Sequence, residues 1–215
     1  MIVSQLVLIR HGQAHCNVAG VVGGPRTCTG LTGLGRRQVV LTAQRLAAEH
    51  SHDPFHALYA GPRRRLQQTG RILAEVVGLP LAVEPGLEGP RHGDADGRPW
   101  HEVKSDFGGG PHTRPDLPWA TSSDTWNGYL RRAGEFLTQL IGRHEGERVL
   151  LAAHGETVLA VHTLLLGIPA GTQSGFTVDH GSITRWQLHR NRFGDDRWML
   201  DRHNDTAHLA GSSEA

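Results

Sequence analysis

The sequence predicts a layered α/β fold with a mostly parallel central sheet. Three short, largely apolar runs at residues 6–9, 56–60 and 149–153 suit strands that are buried on both faces of such a sheet. Segments with apolar residues at helical spacing separate these runs. Strands that alternate with helices are typical of a layered α/β architecture, and 215 residues suffice for one domain with a sizeable core.

The first half of the chain is predicted to contain two helices. Thr32 is the candidate N-cap of a helix over residues 34–49, since a threonine oxygen can accept a hydrogen bond from a free amide of the first turn. A second helix over residues 66–77 ends at Gly78, and a short strand over 81–83 follows it.

The second half is predicted to add two further helices and a pair of strands. Either Asp124 or Thr125 caps a helix over residues 126–141, and a short buried helix follows the strand at 149–153. This helix covers residues 157–166, and the closing strands cover 182–189 and 197–202 with a turn at 191–194.

Residues 86–121 differ from the rest of the chain. They are rich in Gly, Pro, His and Asp and show little periodicity, and a structureless stretch of this length in a compact domain is usually functional. We predict a loop-rich insertion that arches over the active site, the alternative being a disordered surface loop. For the chain as a whole, we predict a single domain over residues 1–209, which includes this insertion, and a flexible tail over 210–215.

Charge and cysteine content argue against several classes of protein. The formal net charge of +1 provides no basic surface for nucleic acid or an anionic membrane. The two cysteines form neither a disulfide framework nor a zinc-binding pattern. The chain shows no targeting leader, and no apolar stretch approaches the ~20 residues of a membrane span. We therefore expect a cytoplasmic protein with no nucleic-acid or membrane partner and no metal site.

Arginine and histidine residues follow three of the predicted strands. Arg10 and His11 follow the first strand, an arginine triplet at 63–65 follows the second, and His154 follows the strand at 149–153. Because the carboxyl ends of parallel strands meet at one edge of a sheet, we expect these side chains to lie together. Arginine binds phosphate oxygens bidentately, and a neutral imidazole can attack phosphorus. The pattern predicts a site for a phosphoryl group, with a glycine after each histidine that lets the backbone approach the ligand.

Five motifs in this order resemble those of the histidine phosphatase superfamily, the phosphoglycerate-mutase-like proteins. LIRHG at 8–12 resembles the signature that names the family, and Asn17 stands where a phosphate-binding asparagine follows it. The other motifs are LTGLGRRQ at 31–38, GPRRRLQQT at 61–69, VLLAAHGET at 149–157 and the ending LDRHNDTAHL at 200–209. The second of these selects Arg65 from the arginine triplet, and the third carries His154.

The resemblance implies a three-layer α/β/α sandwich and a two-step reaction without a metal ion. His11 would attack the phosphorus and form a phosphohistidine, which water would then hydrolyse. The residues implied in phosphate binding are Arg10, Asn17, Arg65, His154 and Gly155. The sequence departs from the family at His180, where relatives often carry an asparagine.

The general acid is the main departure from the family pattern. Relatives commonly read L-x-E-x-x-x-G-x-x-x-G-x-x-W-x-E, whereas residues 87–102 read LEGPRHGDADGRPWHE, which leaves Gly89 at the position of the acid. Glu88 lies one residue earlier and is the predicted acid, because Gly89 gives the backbone unusual latitude. The other candidates are His92, Asp94 and Asp96.

These observations predict a histidine-type acid phosphatase, a phosphomonoesterase that hydrolyses a small phosphorylated metabolite without a cofactor. One alternative is a cofactor-dependent phosphoglycerate-type mutase. The chain is short for this class, and its insertion lacks the sequence motif that such mutases usually carry. The other is a non-catalytic phosphate-binding protein that has lost its general acid. The expected partner is a small-molecule phosphate ester, and the oligomeric state is left open, with a homodimer as one option.

Overall fold

A six-stranded mixed sheet runs through the centre of the computed structural model, which describes residues 1–169, 172 and 174–210. The strands are β1 (Ile2–Arg10), β2 (Ala57–Ala60), β3 (Leu81–Val83), β4 (Arg148–Ala153), β5 (Ile183–Arg190) and β6 (Asp196–Asp205). Their order across the sheet is β3-β2-β4-β1-β5-β6. The first four strands in this order are parallel, while β5 pairs antiparallel with β1 and β6 pairs antiparallel with β5, so the sheet is mostly parallel as predicted.

Helices cover both faces of the sheet. The helices of the described residues are α1 (His15–Val18), α2 (Gly33–His50), α3 (Arg64–Val77), α4 (Trp100–Phe107), α5 (Trp126–Arg143) and α6 (Gly155–Leu166). Of these, α2 and α3 lie on one face of the sheet and α5 and α6 on the other. Successive residues of a strand point to opposite faces, so Val7 and Ile9 pack with α2 and α3 while Leu6 and Leu8 pack with α5 and α6. This double burial explains the unbroken apolar runs in the sequence and confirms the three-layer fold.

The predicted helix caps are present. Thr32 Oγ1 accepts a hydrogen bond from Gly35 N at 3.0 Å at the start of α2. Thr125 Oγ1 accepts one from Gly128 N at 2.9 Å, which makes Thr125 rather than Asp124 the cap of α5. Gly78 ends α3 in the left-handed region, with φ of 83°.

The first strand is longer than its apolar run. It begins at Ile2, and the polar residues Ser4 and Gln5 are buried within it. Gln5 Oε1 accepts a hydrogen bond from Arg148 Nε at 2.9 Å, and Ser4 Oγ accepts one from Gly146 N at 2.9 Å. Partners from distant parts of the chain therefore satisfy polar groups that the apolar pattern could not place in a strand.

The segment over residues 86–121 is more ordered than predicted. It contains the helix α4 and two single 3₁₀ turns, Gly93–Ala95 and Pro111–Thr113, and a third, Pro85–Leu87, overlaps its start. Val103 and Phe107, one turn apart in α4, pack with Val22, Ala95 and Trp119 in a small core of their own. Two buried positions in an eight-residue helix are too few to show a helical period, which is why the sequence did not indicate α4.

Within the described residues, no helix is long and apolar enough to span a bilayer. The predicted flexible tail at 210–215 lies outside the described residues except for the exposed Ala210.

Candidate active site

Four predicted site residues lie together at the edge of the sheet where β1, β2 and β4 end. They are Arg10, His11, Arg65 and His154. β1 and β4 are parallel neighbours with Arg10 opposite Ala153, and His11 N donates a hydrogen bond to Ala153 O at 3.0 Å. The rings of His11 and His154 consequently lie 5.4 Å apart, edge to face. Arg65, the second residue of α3, reaches both histidines from the end of β2.

The His11 ring has a defined tautomer. Its Nδ1 lies 2.8 Å from Gly12 O, and because a carbonyl only accepts, Nδ1 carries the proton. Its Nε2 is left with a lone pair and accepts a hydrogen bond from Arg65 Nε at 3.2 Å. Burial, together with the nearby Arg65 and Arg10 guanidinium groups, lowers the pKa of His11 well below its usual value. His11 is therefore neutral near pH 7, with its unprotonated Nε2 facing the Arg65 guanidinium.

His154 has the opposite tautomer. Arg65 Nη2, which can only donate, lies 3.3 Å from His154 Nδ1, so the proton of the neutral ring is on Nε2. Burial and the charge of Arg65 lower the pKa of His154 well below its usual value. Nε2 is buried and has no hydrogen-bond partner in the described part of the chain. A buried donor without a partner is costly, which is typical of a position that a ligand fills.

Arg10 is anchored by the segment that precedes β5. Its Nη1 donates a hydrogen bond to Val178 O, and its Nη2 lies 3.0 Å from His180 Nε2. Its Nε is buried and, among the described residues, unpartnered. Gly155 begins α6 beside it, and a Cβ there would lie 3.6 Å from Arg10 Nε, an ordinary contact. Arg10 thus offers one donor to a ligand while its other nitrogens hold it in place.

Gly12 packs closely against the start of α2. A Cβ at Gly12 would lie 2.1 Å from Gly35 O, at the start of α2. The close approach of α2 therefore requires glycine at this position, and the approach of its backbone to a ligand stays a prediction.

Asn17 is the third residue of the short helix α1, and its side chain caps the start of that helix. Its Oδ1 accepts a hydrogen bond from Ala14 N at 3.0 Å, and the residue is exposed. The structure shows this capping contact, and the phosphate-binding role of Asn17 stays a prediction.

Glu88 lies at the end of the 3₁₀ turn Pro85–Leu87. Its carboxylate is 22% exposed, with Oε2 at 3.2 Å from Arg91 Nε and Oε1 at 3.9 Å from Arg63 Nη2. Arg132 holds the backbone here by donating to Glu88 O at 3.2 Å and to Gly89 O at 3.3 Å.

Gly89 lies against the ring of His154. A Cβ at position 89 would be 2.5 Å from His154 Cδ2, far closer than any normal contact. No side chain fits at this position while His154 keeps its place. The sequence position at which relatives carry an acid is thus closed by packing, and the carboxylate stands at the preceding residue instead.

The two aspartates of this segment have other environments. Asp96 is buried and accepts hydrogen bonds from Gly24 N and Arg26 N, both at 2.9 Å, and from the Thr27 hydroxyl. Burial raises the pKa of Asp96, but these hydrogen bonds outweigh it and leave the pKa below its usual value. Asp96 therefore holds the loop at 24–27 as a carboxylate, and Asp94 is exposed.

His92 is buried between two tryptophans. Its ring centroid lies 5.5 Å from that of Trp100 and 5.7 Å from that of Trp119. Burial, followed by the charge of Arg63, lowers the pKa of His92 to about 4. Its Nδ1 is buried and unpartnered within the described residues, so a neutral His92 keeps one ring nitrogen available near the site.

Comparison with known proteins decides the family. The model of the histidine phosphatase superfamily (branch 1) matches residues 6–206. The chain belongs to this superfamily. The match confirms the family predicted from the sequence motifs.

Relatives of this histidine phosphatase carry more than one activity in their names. A metal-independent phosphoserine phosphatase of Arabidopsis thaliana is 25% identical over 213 residues, covering 97% of this chain and 84% of the relative. A probable phosphoglycerate mutase, GpmB, of Yersinia pestis is 26% identical over 217 residues, covering 95% of this chain and 94% of the relative. The first of these names supports the predicted class, a phosphomonoester hydrolase.

Solved structures share the fold along the whole domain. The mycobacterial glucosyl-3-phosphoglycerate phosphatase in complex with VO3 superposes with a TM-score of 0.77 at 25% identity, covering 93% of this chain and 98% of that chain. YhfR of Bacillus stearothermophilus superposes with a TM-score of 0.79 at 21% identity, covering 96% and 99%. These similarities confirm the predicted fold class.

The histidine phosphatase site includes residues that sequence reasoning did not assign. Arg63 is buried and donates from Nη2 to Pro90 O at 2.8 Å, which links the arginine triplet to the segment of Glu88. Cys28 Sγ accepts from Arg65 Nη1 at 3.3 Å. The His180 ring lies 5.6 Å from that of His11, and burial, followed by the charge of Arg10, lowers the pKa of His180 to about 4. The sequence signals for these residues were the arginine triplet at 63–65 and the unusual residue at 180, whereas nothing indicated Cys28.

Metal ligands form no cluster in the part of the chain that the structure describes. No group of three or more His, Cys, Asp or Glu side chains there is arranged to hold an ion.

Proposed function

We propose that this protein hydrolyses a small phosphorylated metabolite through a phosphohistidine on His11, without a metal ion or cofactor. The observation that carries the proposal is the neutral His11, whose Nε2 faces the Arg65 guanidinium at 3.2 Å. A neutral imidazole whose unprotonated nitrogen lies beside a fixed cation suits attack on a phosphate ester, because a phosphate oxygen can take over the hydrogen bond that Arg65 Nε now donates to this nitrogen. The phosphatase names among the relatives support the same reaction.

In the first step, His11 Nε2 attacks the phosphorus and the P–O bond to the alcohol breaks. Three groups donate hydrogen bonds to the non-bridging oxygens and so stabilise their negative charge. They are Arg10 Nε, Arg65 and His154 Nε2–H. Glu88 transfers a proton to the leaving alkoxide. In the second step, Glu88 takes a proton from water, the hydroxide attacks the phosphohistidine, and phosphate and neutral His11 are released.

Glu88 is supported as the acid by its surroundings. Its backbone is held by Arg132, and Gly89 next to it lies on the ring of His154. Asp96 already accepts three hydrogen bonds as a carboxylate and is poorly suited to donate a proton. His92, with its available Nδ1, is the remaining candidate.

The experiment measures phosphate release from phenyl phosphate and from a panel of sugar, nucleotide and glycerate phosphates, with a chelator present. We expect turnover in chelator, complete loss in His11→Ala, and no loss in His15→Ala, an exposed histidine of α1 that serves as the matched control. A phosphoryl group that is stable in alkali and labile in acid should be trapped on the wild type and on His15→Ala but not on His11→Ala. Loss of activity in chelator contradicts the metal-free reaction.

A phosphoglycerate-type mutase is the second candidate, favoured by the similarity to the Yersinia pestis protein. Transfer of the phosphoryl group to a second hydroxyl of a glycerate phosphate would support it. Binding of phosphate esters without release or transfer would instead support a non-catalytic binding protein.

A further inference from the structure

A cavity of about 470 Å³ lies between α5, α6 and the 3₁₀ turn Pro111–Thr113. Its walls include the apolar side chains of Trp126, Leu130, Leu159 and Phe176. Glu156 and His112 are polar residues of the same walls. The cavity is large enough for the alcohol part of a small phosphate ester.

Glu156 joins this cavity to the phosphate site. It is the second residue of α6 and directly follows His154 and Gly155. Burial lowers the pKa of Arg10, and the Glu156 carboxylate is the largest influence that opposes this shift. It opposes the lowering of the His92 pKa in the same way. The geometry agrees, since a Cβ at Gly155, the residue before Glu156, would lie 3.6 Å from Arg10 Nε, while the Glu156 side chain lines the cavity. The first turn of α6 therefore connects the cavity with the predicted phosphate site.

The described side chains that line the cavity carry a negative charge that no lysine or arginine among them balances. Among the described residues that line it there is no lysine or arginine, and Glu156 is the charged side chain. A second anionic group of a substrate would meet this carboxylate without a cation to balance it, whereas an ammonium group would pair with Glu156 beside the indole of Trp126. A different cleft, of about 580 Å³, is lined by Arg63, Arg64 and Arg71 together with Glu88, so cations outnumber carboxylates there.

We propose that this cavity holds the alcohol part of the substrate and that Glu156 selects phosphate esters whose alcohol carries an ammonium group. The inference rests on the proposed function, because it takes His11 as the site of hydrolysis. Selection operates by a charge-assisted hydrogen bond between the ammonium group and the Glu156 carboxylate.

The test compares three phenyl phosphates that differ at the para position, with an aminomethyl group, hydrogen or a carboxylate. We expect kcat/KM to decrease in this order. In Glu156→Gln, kcat/KM should fall about 10-fold for the aminomethyl ester and rise for the carboxylate ester, with little change for phenyl phosphate. Glu75→Gln, which removes an exposed carboxylate of α3 on the opposite face of the sheet, should leave all three values unchanged.

A second variant tests the cavity itself. Leu159→Trp fills it and should lower kcat/KM for the aryl esters while leaving the hydrolysis of acetyl phosphate, which is too small to reach the cavity, unchanged. A preference for the carboxylate ester, or an equal effect of Glu156→Gln on all three esters, overturns the inference. Failure to hydrolyse both phenyl phosphate and acetyl phosphate would overturn the proposed function instead, so the two failures are distinguishable.

Discussion

Replacing Gly89 by alanine tests how closely catalysis depends on the placement of His154. The new Cβ would lie 2.5 Å from His154 Cδ2, whereas ordinary contacts begin at 3.4 Å. The ring or the segment of Glu88 must therefore move by about 0.9 Å, the difference between these two distances. A displacement of about 1 Å in a catalytic group can cost about 100-fold in rate, and forcing a methyl group into a packed site costs about 1–3 kcal/mol.

We expect kcat/KM of Gly89→Ala for phenyl phosphate to fall about 100-fold, with a smaller loss in the free energy of unfolding measured in urea. Gly134→Ala is the matched control, because Gly134 lies in α5 and a Cβ there would have no neighbour within 4 Å. It should keep full activity and gain about 0.5–1 kcal/mol of stability from the better helix propensity of alanine. Wild-type kcat/KM in a folded Gly89→Ala variant would refute the reasoning.

Three further predictions concern the acid, the histidines and a helix cap. Glu88→Gln should lower kcat on alkyl phosphates by roughly 10²–10⁴-fold and much less on aryl phosphates with good leaving groups; equal losses on both would exclude Glu88 as the acid. The pKa values of His92 and His180 are about 4 in the folded protein against 6.5 in the unfolded chain, so the unfolded chain binds protons first as the pH falls. The free energy of unfolding should therefore decrease between about pH 6.5 and about pH 4, by about 1–3 kcal/mol for each histidine, and urea unfolding near pH 7 and near pH 5 checks this. Thr125→Ala should cost about 1 kcal/mol because Gly128 N loses its acceptor, while Thr121→Ala, an exposed neighbour, should cost little; similar unfolding curves for the two variants would contradict the capping role.

Much of the fold could be predicted because it depends on local patterns. Consecutive apolar residues mark strands that are buried on both faces, and Leu6 and Val7 indeed belong to different cores. The cap at Thr32 could be predicted because its hydroxyl accepts a hydrogen bond from Gly35 N, which is only three residues away along the chain. The helix α4 could not, because its burial depends on Val22 and Trp119 from outside the helix.

The candidate site was predicted in part. The ends of parallel strands meet by topology, so Arg10, His11 and His154 could be placed together from sequence, with Arg65 added by the resemblance to the family. The contact of His180 with Arg10 could not be predicted, because the loop that carries His180 has no periodic pattern. The predicted cytoplasmic location, the oligomeric state and the absence of a nucleic-acid partner stay predictions.

The sequence by itself determined the main strands, the longer helices and the family, and it predicted the candidate site residues, since these follow from short patterns along the chain. Only the tertiary structure decided which nitrogen of His11 carries the proton and which faces Arg65, since Gly12 O and Arg65 set the tautomer from two sides. Packing alone decided that no side chain fits at Gly89, because the obstacle is the ring of His154. Such properties depend on distances between atoms far apart in the sequence, and folding is what brings those atoms together.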